Sequence, residues 1–394
     1  MAKIDDSVKK KVPELRFAGF ADDWEERKLE NIAQINKGIQ RGKQEISSVR
    51  NELNPYPVYN GGKKASGYTD ECNRENSVMV SEGGASAGYV NYYSGKYWSG
   101  GHNFTISNDT KHDTFFLLYV LQKSQEKLYK LQVGTGLPNI QLKSIKDFPI
   151  YSTSNTEQQK IGSFFKQLDN TIALHQRKLD LLKEQKKGYL QKMFPKNGAK
   201  VPELRFAGFA DDWEERKLKN VSTFKQGIQV DLERQYQIQN DHLIRFIRIV
   251  DYTQNTQDIR YIDINTSKNI IQPDDIIMVR YGATAGFIGR GIEGILANNM
   301  FSINPTQKIV KDYLYIYLKQ DKIYKQLNNS NGSSAMPAIN FSLVGNLNIT
   351  YPNFEEQEKI GTFFKQLDDT ITLHQRKLDL LKEQKKGFLQ KMFV

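Results

Sequence analysis

The chain has 394 residues, 38% of them hydrophobic, which is too long for one ordinary hydrophobic core and predicts two or more domains. The formal net charge of +11, with 20 Tyr and 21 Phe residues, favours nucleic acid over a membrane surface as the partner. Cys72 is the single cysteine, which excludes an internal disulfide and a cysteine-based zinc site. The sequence has no run of about 18 apolar residues, which excludes a membrane-spanning helix. Together with the absence of an N-terminal apolar signal segment, these features predict a cytoplasmic protein.

Two stretches of the chain occur twice. The segment VPELRFAGFADDWEERKL at 12–29 returns unchanged at 201–218, and the segment at 157–194 returns at 356–393 with only mild exchanges. Two copies favour a two-lobed, pseudo-twofold molecule over a solenoid, which normally needs three or more units. We therefore predict a first lobe at 1–153, a first long helix at 154–194, a second lobe at 195–352 with a linker at 195–200, and a second long helix at 353–394.

The first variable region alternates aromatic and β-branched runs with Gly, Asn and Ser turns. This pattern predicts short strands of a mixed or mostly antiparallel sheet within 54–71, 76–98 and 102–107. A helix is expected at 113–133 and a strand at 146–151. Ser154 stands three residues before Glu157, the spacing of a helix N-cap.

The second variable region repeats this order of elements with different residues. The segment 274–291 corresponds to 79–91, so that GATAGFI at 282–288 matches GASAGYV at 84–90. A helix is expected at 310–327, the turn LPNI at 137–140 returns as MPAI at 336–339, and Asn353 takes the place of Ser154. The two lobes are therefore predicted to share one fold.

The repeated segments lack internal proline, and their apolar residues recur at alternating steps of four and three. This heptad seam predicts two helices, each about 55 Å long, that pair with each other as an antiparallel coiled coil. His175 and His374 lie at mid-seam, where a polar layer that sets register is favoured over a shared proton or a metal. The seam positions are Ile161, Phe165, Leu168, Ile172, His175, Leu179, Leu182, Ile360, Phe364, Leu367, Ile371, His374, Leu378 and Leu381.

No motif in the chain predicts catalysis or a metal site. The stretch NPYP at 54–57 breaks the order of an adenine methyltransferase motif, and the loop 83–88 lacks the lysine of a phosphate-binding loop. Glu-x-Lys pairs at 184–186 and 383–385 lie on the predicted coiled coil, and the five histidines have no metal-ligand spacing.

Glycine-containing loops of the variable regions are the better functional candidates, because glycine lets a backbone approach phosphates or base edges. Basic side chains suit phosphate or guanine, and amides suit adenine. Any single residue could instead be a solvated turn or surface charge, so the prediction concerns the loops as a set. The candidate DNA contacts are Asn60, Lys63, Lys64, Gly84, Ser86, Gly88, Tyr89, Lys96 and Asn139 in the first lobe, and Arg245, Arg248, Arg280, Tyr281, Thr284, Gly286, Arg290, Asn298, Asn299 and Asn340 in the second.

This layout resembles the specificity subunit of type I restriction-modification enzymes over essentially the whole chain. The resemblance rests on two variable lobes, a Pro-x-Ile turn before each long helix, the EQxKIG start of each helix and its LLKxxKxGY/FLxxMF end. It implies an α+β fold with two target-recognition domains that each read half of a split DNA sequence. It also implies two modification subunits that carry S-adenosylmethionine, and restriction subunits that use ATP and Mg, with no cofactor in this chain.

Two other classes of protein remain as alternatives. A self-contained DNA methyltransferase or nuclease would need the catalytic motifs that we do not find. A coiled-coil scaffold without DNA binding predicts no salt-dependent affinity for DNA, whereas the basic charge predicts an affinity that falls steeply with salt.

Overall fold

A computed structural model describes residues 12–108, 112–134, 136–196, 198–254, 257–329 and 338–394. The chain divides into two compact units. Unit 1 comprises Met1–Arg177 and Gln375–Val394, and unit 2 comprises Lys178–His374. Each unit thus holds one variable region, the start of the long helix that follows it and the end of the other long helix.

Unit 1 is built on a six-stranded sheet with a separate two-stranded ribbon. Its strands are β1 (Glu25–Lys28), β2 (Ala33–Lys37), β3 (Tyr56–Tyr59), β4 (Gly67–Thr69), β5 (Arg74–Ser81), β6 (Val90–Ser99), β7 (Asn103–Asn108) and β8 (Pro149–Ser152). Its helices are α1 (Thr114–Lys123), α2 (Gln125–Tyr129), α3 (Leu142–Lys146) and the first part of α4 (Asn155–Lys192). The sheet order is β2-β7-β5-β6-β3-β4, and β1 pairs with β8.

Unit 2 has a related arrangement in which the large sheet is divided into a four-stranded and a three-stranded sheet. Its strands are β9 (Glu214–Lys217), β10 (Ser222–Gln226), β11 (Leu243–Ile247), β12 (Arg260–Asp263), β13 (Ile276–Val279), β14 (Ile288–Gly289), β15 (Ile295–Leu296), β16 (Met300–Pro305) and β17 (Asn348–Tyr351). Its helices are α5 (Val250–Thr253), α6 (Lys311–Leu318), α7 (Asp321–Asn329), α8 (Phe341–Gly345) and the first part of α9 (Phe354–Lys391). The sheets have the orders β10-β16-β13-β14, β12-β11-β15 and β17-β9.

The predicted mixed, mostly antiparallel sheet is confirmed in both units. The parallel pairings are β3 with β6 and β11 with β15, and every other strand pairing is antiparallel among the residues described. Central strands are continuously apolar because both of their faces are covered, as in Val78, Met79 and Val80 of β5. Packing against α1 supplies one of these covers.

The expected helix at 113–133 is interrupted, and so is the one at 310–327. In unit 1 the break falls at Ser124, after which Gln125 turns its side chain onto the loop between β5 and β6. Its amide nitrogen donates to the Gly88 carbonyl (2.6 Å) and its amide oxygen accepts from the Val90 nitrogen (3.1 Å). The strand expected at 146–151 begins later, at Pro149, because α3 extends to Lys146.

Both predicted helix caps are confirmed. The Ser154 hydroxyl accepts from the Glu157 nitrogen (3.4 Å), and the Asn353 amide oxygen accepts from the Glu356 nitrogen (3.0 Å). The Glu157 carboxylate does not turn back to the cap, however. It is fully buried and accepts two hydrogen bonds from Arg16 of the repeated arm, at 2.6 and 2.8 Å.

The start of one long helix pairs antiparallel with the end of the other, separately within each unit. In unit 1, Asp169 of α4 lies 2.7 Å from Lys385 of α9. In unit 2, Lys186 of α4 lies 2.5 Å from Asp368 of α9. The predicted seam positions are buried or half-buried. His175 and His374 belong to different units, so a shared polar layer stays a prediction.

An aromatic cluster anchors each helix pair to its lobe. In unit 1, Phe393 packs on Trp24 of the arm and on Phe116 of α1, with ring centroids 6.2 and 5.6 Å apart. In unit 2, Phe194 packs in the same way on Trp213 and Tyr313, at 6.2 and 5.8 Å. The end of each helix therefore completes a hydrophobic core.

A polar contact locks the register of the unit 1 helices beside this core. The Tyr119 hydroxyl donates to the Asp169 carboxylate (2.8 Å), which also pairs with Lys385. Burial first, and then the neighbouring Asp169 charge, raise the pKa of Tyr119, so its hydroxyl stays a donor throughout the ordinary pH range.

Candidate functional site

Four loops at one end of the unit 1 strands are hydrogen-bonded into a single surface, which we call the strand-end edge. The Glu82 nitrogen, just after β5, donates to the His102 carbonyl just before β7 (2.9 Å). The Ile140 nitrogen donates to the Glu82 carbonyl (2.8 Å), and the His102 nitrogen donates to the Asn60 side chain after β3 (3.2 Å). Residues distant in sequence are thereby held at fixed positions along one edge.

A cluster of three tyrosines supports the loop that carries Asn60. The rings of Tyr59, Tyr93 and Tyr97 lie 5.5 to 5.9 Å apart in tilted and edge-on arrangements. Burial raises the pKa of Tyr59 and of Tyr97, so both hydroxyls remain protonated. Rigid aromatic packing is what a loop needs if it is to present side chains in a defined geometry.

Lys37, Glu82 and His102 form the charged centre of this edge. The Lys37 amine donates to the Glu82 carboxylate at 2.6 Å, and His102 Nδ1 lies 3.8 Å from the other carboxylate oxygen. The Glu82 side chain is only 9% exposed, whereas Lys37 and His102 are 52% and 62% exposed. The nearly buried Glu82 carboxylate thus lies next to two exposed nitrogen groups, the Lys37 amine and the His102 imidazole.

Unit 2 has the same backbone arrangement with a cation at its centre. The Arg280 nitrogen donates to the Asn299 carbonyl (2.8 Å), and the Ile339 nitrogen donates to the Arg280 carbonyl (2.9 Å). These bonds repeat those of Glu82 in unit 1, so Arg280 is its structural equivalent. The charge at the equivalent position is therefore reversed.

Arg280 begins a chain of hydrogen bonds that runs through three amide side chains. Its guanidinium donates to the Gln226 side chain (2.5 Å), and Gln226 donates to the Asn298 carbonyl. The Asn298 amide donates in turn to Gln229 (2.8 Å). Asn298 and Gln229 are exposed, so the accessible groups of unit 2 are amides where those of unit 1 are a lysine and a histidine.

The candidate contacts of unit 1 have different surroundings. Gly88 is buried at a φ of +84°, and a Cβ there would lie 3.0 Å from Ile140 Cδ1, so this glycine serves packing. Asn60 positions the backbone of His102. Lys96 lies within β6 opposite Glu75 and is not part of the loops. The remaining candidates are exposed or half-exposed on the loops: Lys63, Lys64, Gly84, Ser86, Tyr89 and Asn139.

Three arginines of unit 2 that were predicted to contact DNA pair with carboxylates of the same unit. Arg245 donates to the buried Asp251 side chain at 2.8 Å, and Arg248 lies 3.7 Å from the same carboxylate. Arg290 donates to Asp312 and stacks 4.0 Å above the Tyr315 ring. The structure gives each of these arginines an internal partner.

Gly286 and Asn340 of unit 2 also have structural roles. Gly286 is buried at a φ of +86°, and a Cβ added there would lie 3.2 Å from Ile339 Cδ1. The Asn340 side chain caps α8 by accepting from the Leu343 nitrogen (2.8 Å). Tyr281, Thr284 and Asn298 are exposed or half-exposed, while Met336 and Pro337 of the predicted turn lie outside the described residues.

Sequence reasoning missed Lys37, Glu82, His102, Gln226 and Gln229. The signal for the central pair was available, because the match of Gly84 to Gly282 aligns residue 82 with residue 280. A change from acid to base within an otherwise repeated frame indicates altered chemistry on a shared scaffold.

Other kinds of site receive no support from the side chains that the structure describes. Within them, no group of three or more His, Cys, Asp or Glu residues is arranged to hold a metal ion. No helix in the described ranges is long and apolar enough to cross a membrane.

Comparison with known proteins gives a consistent result. The family model for the type I restriction modification DNA specificity domain matches residues 21–184 and again 210–383. A putative type I specificity subunit of Mycoplasma genitalium is 24% identical over 382 residues, 94% of each chain. The MjaVIII specificity subunit of Methanocaldococcus jannaschii is 22% identical over 291 residues, 70% of this chain and 68% of that one.

A solved structure supports the fold. The crystal structure of a type I restriction-modification S subunit from M. genitalium aligns with a TM-score of 0.74 and 22% identity. The alignment covers 97% of this chain and 99% of that one. At this identity the likeness concerns the fold.

Proposed function

The chain belongs to the type I restriction-modification DNA specificity family, and we propose that it reads a split, asymmetric DNA sequence, one half with each lobe. The observation that carries this proposal is the reversed charge at equivalent loop positions, Glu82 and Arg280, on one repeated frame. Two lobes with the same fold and different edge chemistry suit two different half-sequences.

The edge groups suggest which bases each lobe prefers. Lys37 and His102 in unit 1 are donors suited to the N7 and O6 acceptors of guanine in the major groove. Asn298 and Gln229 in unit 2 are amides, which suit the donor and acceptor of adenine. Glu82 and Arg280 act as positioning residues that hold these groups.

We further propose that the paired helices set the gap between the two half-sequences. The helices α4 and α9 have 38 residues each, and within each unit an ion pair joins one to the other. At about 1.5 Å per residue, each helix is about 57 Å long. Helix length then determines how many base pairs lie unread.

The outer surfaces of the helices suit two equivalent modification subunits. Unit 1 exposes Leu174 and Leu380, and unit 2 exposes Leu181 and Leu373 at the equivalent helix positions. Leucines exposed twice at matching positions favour two copies of one partner. S-adenosylmethionine would then be carried by those methyltransferase subunits, and ATP and Mg by restriction subunits, with adenine methylation occurring on the partners.

The gap proposal is tested by lengthening both helices. We insert four residues after Arg177 and four after Arg376, and map methylated adenines in a host that carries the chain with its modification subunit. The unaltered chain should give a two-part motif with a fixed gap. The insertion adds about 6 Å and should widen the gap by one or two base pairs.

A four-residue insertion after Ile238, which is 83% exposed in a loop of unit 2, serves as the control and should leave the gap unchanged. A motif with the original gap after the helix insertions would contradict the spacing role. A one-part motif in the unaltered chain would contradict reading by two lobes.

Exchanging Lys37 for glutamine tests the base-reading edge, since Gln226 occupies the equivalent position of unit 2. The Lys37→Gln variant should lose discrimination at one position of one half-sequence, by about 1–3 kcal/mol, because a specific base contact is worth that much. Methylation rates on a panel of single-base variants of the motif measure the effect. Lys43→Gln, an exposed lysine of the same lobe, should change nothing, and equal behaviour of the two variants would refute the assignment.

A further inference from the structure

A basic cavity in unit 2 is built from elements other than the strand-end loops. It has a volume of about 580 Å³ and lies between the end of α4, the segment that follows it, and the turn joining α6 to α7. Among the described residues that line it, Asp321 is the only acid. Its lysines are Lys183, Lys186, Lys187, Lys196, Lys319 and Lys322.

Two of these lysines are neutralised by carboxylates. Lys186 pairs with Asp368 at 2.5 Å, and Lys196 pairs with Glu203 at 3.1 Å. The other four have no carboxylate within 4.0 Å among the residues that the structure describes. Excess positive charge is therefore concentrated in a concave space, where focusing of the field favours an anion.

Lys322 is the lining lysine whose positive charge is disfavoured by burial in the cavity. Although the residue as a whole is exposed, its amine lies 3.2 Å from the Pro195 carbonyl and 5.2 Å from the centre of the Tyr317 ring. Burial lowers the pKa of Lys322, which means that its charged form is disfavoured there. A bound anion would offset that loss.

The other lining groups suit a ligand that is larger than a single ion and has polar and apolar parts. Gln320 is 7% exposed, and its amide nitrogen has no hydrogen-bond partner among the described residues. Leu190, Phe194 and Pro195 supply an apolar side. The volume falls within the range of small-ligand sites, about 300–1,000 Å³.

We propose that this cavity binds phosphate groups. Lysine amines act as point charges that bind phosphate from several directions, and four amines without a carboxylate partner among the described residues match the multiple charges of a polyphosphate or of successive backbone phosphates. The phosphates could come from a free nucleotide or from DNA outside the recognised sequence. The site does not depend on how bases are read.

The test uses the full chain and a double variant, Lys183→Gln with Lys187→Gln. Inorganic tripolyphosphate, ATP and a duplex without the recognition sequence are titrated separately by calorimetry at constant ionic strength. Removing two charges should weaken the binding of tripolyphosphate by about tenfold or more. Arginine at both positions should retain binding, because the charges remain.

The repeat provides a matched control. Lys382→Gln with Lys386→Gln makes the same changes at the equivalent positions of α9 and should leave the affinity within about twofold, as expected for exposed charges that do not line the cavity and that salt screens. Loss confined to tripolyphosphate and ATP identifies a nucleotide as the source, and loss extending to the duplex identifies the DNA backbone. Equal effects of the two double variants, no binding by the unaltered chain, or displacement only by an acidic peptide would overturn the proposal.

Discussion

Replacing residues 219–355 with the corresponding segment of another specificity subunit is expected to change one half of the methylated sequence and to leave the other half intact. The replaced segment contains the whole strand-end edge of unit 2, including Arg280 and Asn298. It leaves in place the arm, α4, α9 from Glu356 onwards and the Arg205–Glu356 ion pair (2.8 Å). Mapping methylated adenines before and after the exchange measures the result.

The exchange has a structural condition. Phe194 and Trp213 remain, and both pack on Tyr313 of the replaced segment. A donor segment therefore needs a large aromatic residue at that position, as unit 1 has in Phe116. The reciprocal replacement of residues 30–156 should alter the opposite half. Alteration of both halves by either exchange would contradict independent reading by the lobes.

Replacing Arg16 with methionine is expected to destabilise unit 1 by about 3–5 kcal/mol, because it leaves the buried Glu157 charge without its partner. Arg16 itself is 13% exposed, so water cannot easily take its place. Urea unfolding of the variant and the unaltered chain measures the difference in free energy. The effect should appear as a lower midpoint with an unchanged slope.

Two comparisons separate the buried charge from simple loss of packing. Arg27→Met breaks the Arg27–Glu25 pair, whose side chains are 52% and 66% exposed, and should cost less than about 1 kcal/mol. Adding Glu157→Gln to Arg16→Met should recover part of the lost stability, since no unpaired charge then remains buried. A double variant that is less stable than Arg16→Met would show that the pair matters for another reason.

The long helices and their caps were predictable because their signals are local. The heptad seam, the absence of proline, and Ser154 and Asn353 at the cap positions can each be read within a few turns of helix. The repeat doubled this signal. The predicted antiparallel pairing places the start of each helix beside the end of the other, but it did not show that Phe393 and Phe194 complete the cores of the lobes, because those contacts are made with residues far away in sequence.

The candidate site was less predictable, since its side chains are set by partners far away in sequence. Arg290 looks like a phosphate contact until Asp312, 22 residues later, is seen to hold it. Glu82 looks like an ordinary turn residue until Lys37, 45 residues earlier, reaches it. Loop composition therefore indicated the candidate edge, while the choice of candidate residues on it required the fold.

The composition of unit 1 has a consequence for synthesis on the ribosome. Its core includes Trp24 near the start of the chain and Phe393 near the end, separated by the whole of unit 2. Of the two lobes, that of unit 1 emerges first, and its core stays incomplete until Phe393 has been translated and can pack on Trp24 and Phe116. Unit 2 is one uninterrupted stretch and meets its final helix segment earlier. The half of the protein that is made first is completed last, and that nascent lobe is the one most in need of protection from aggregation.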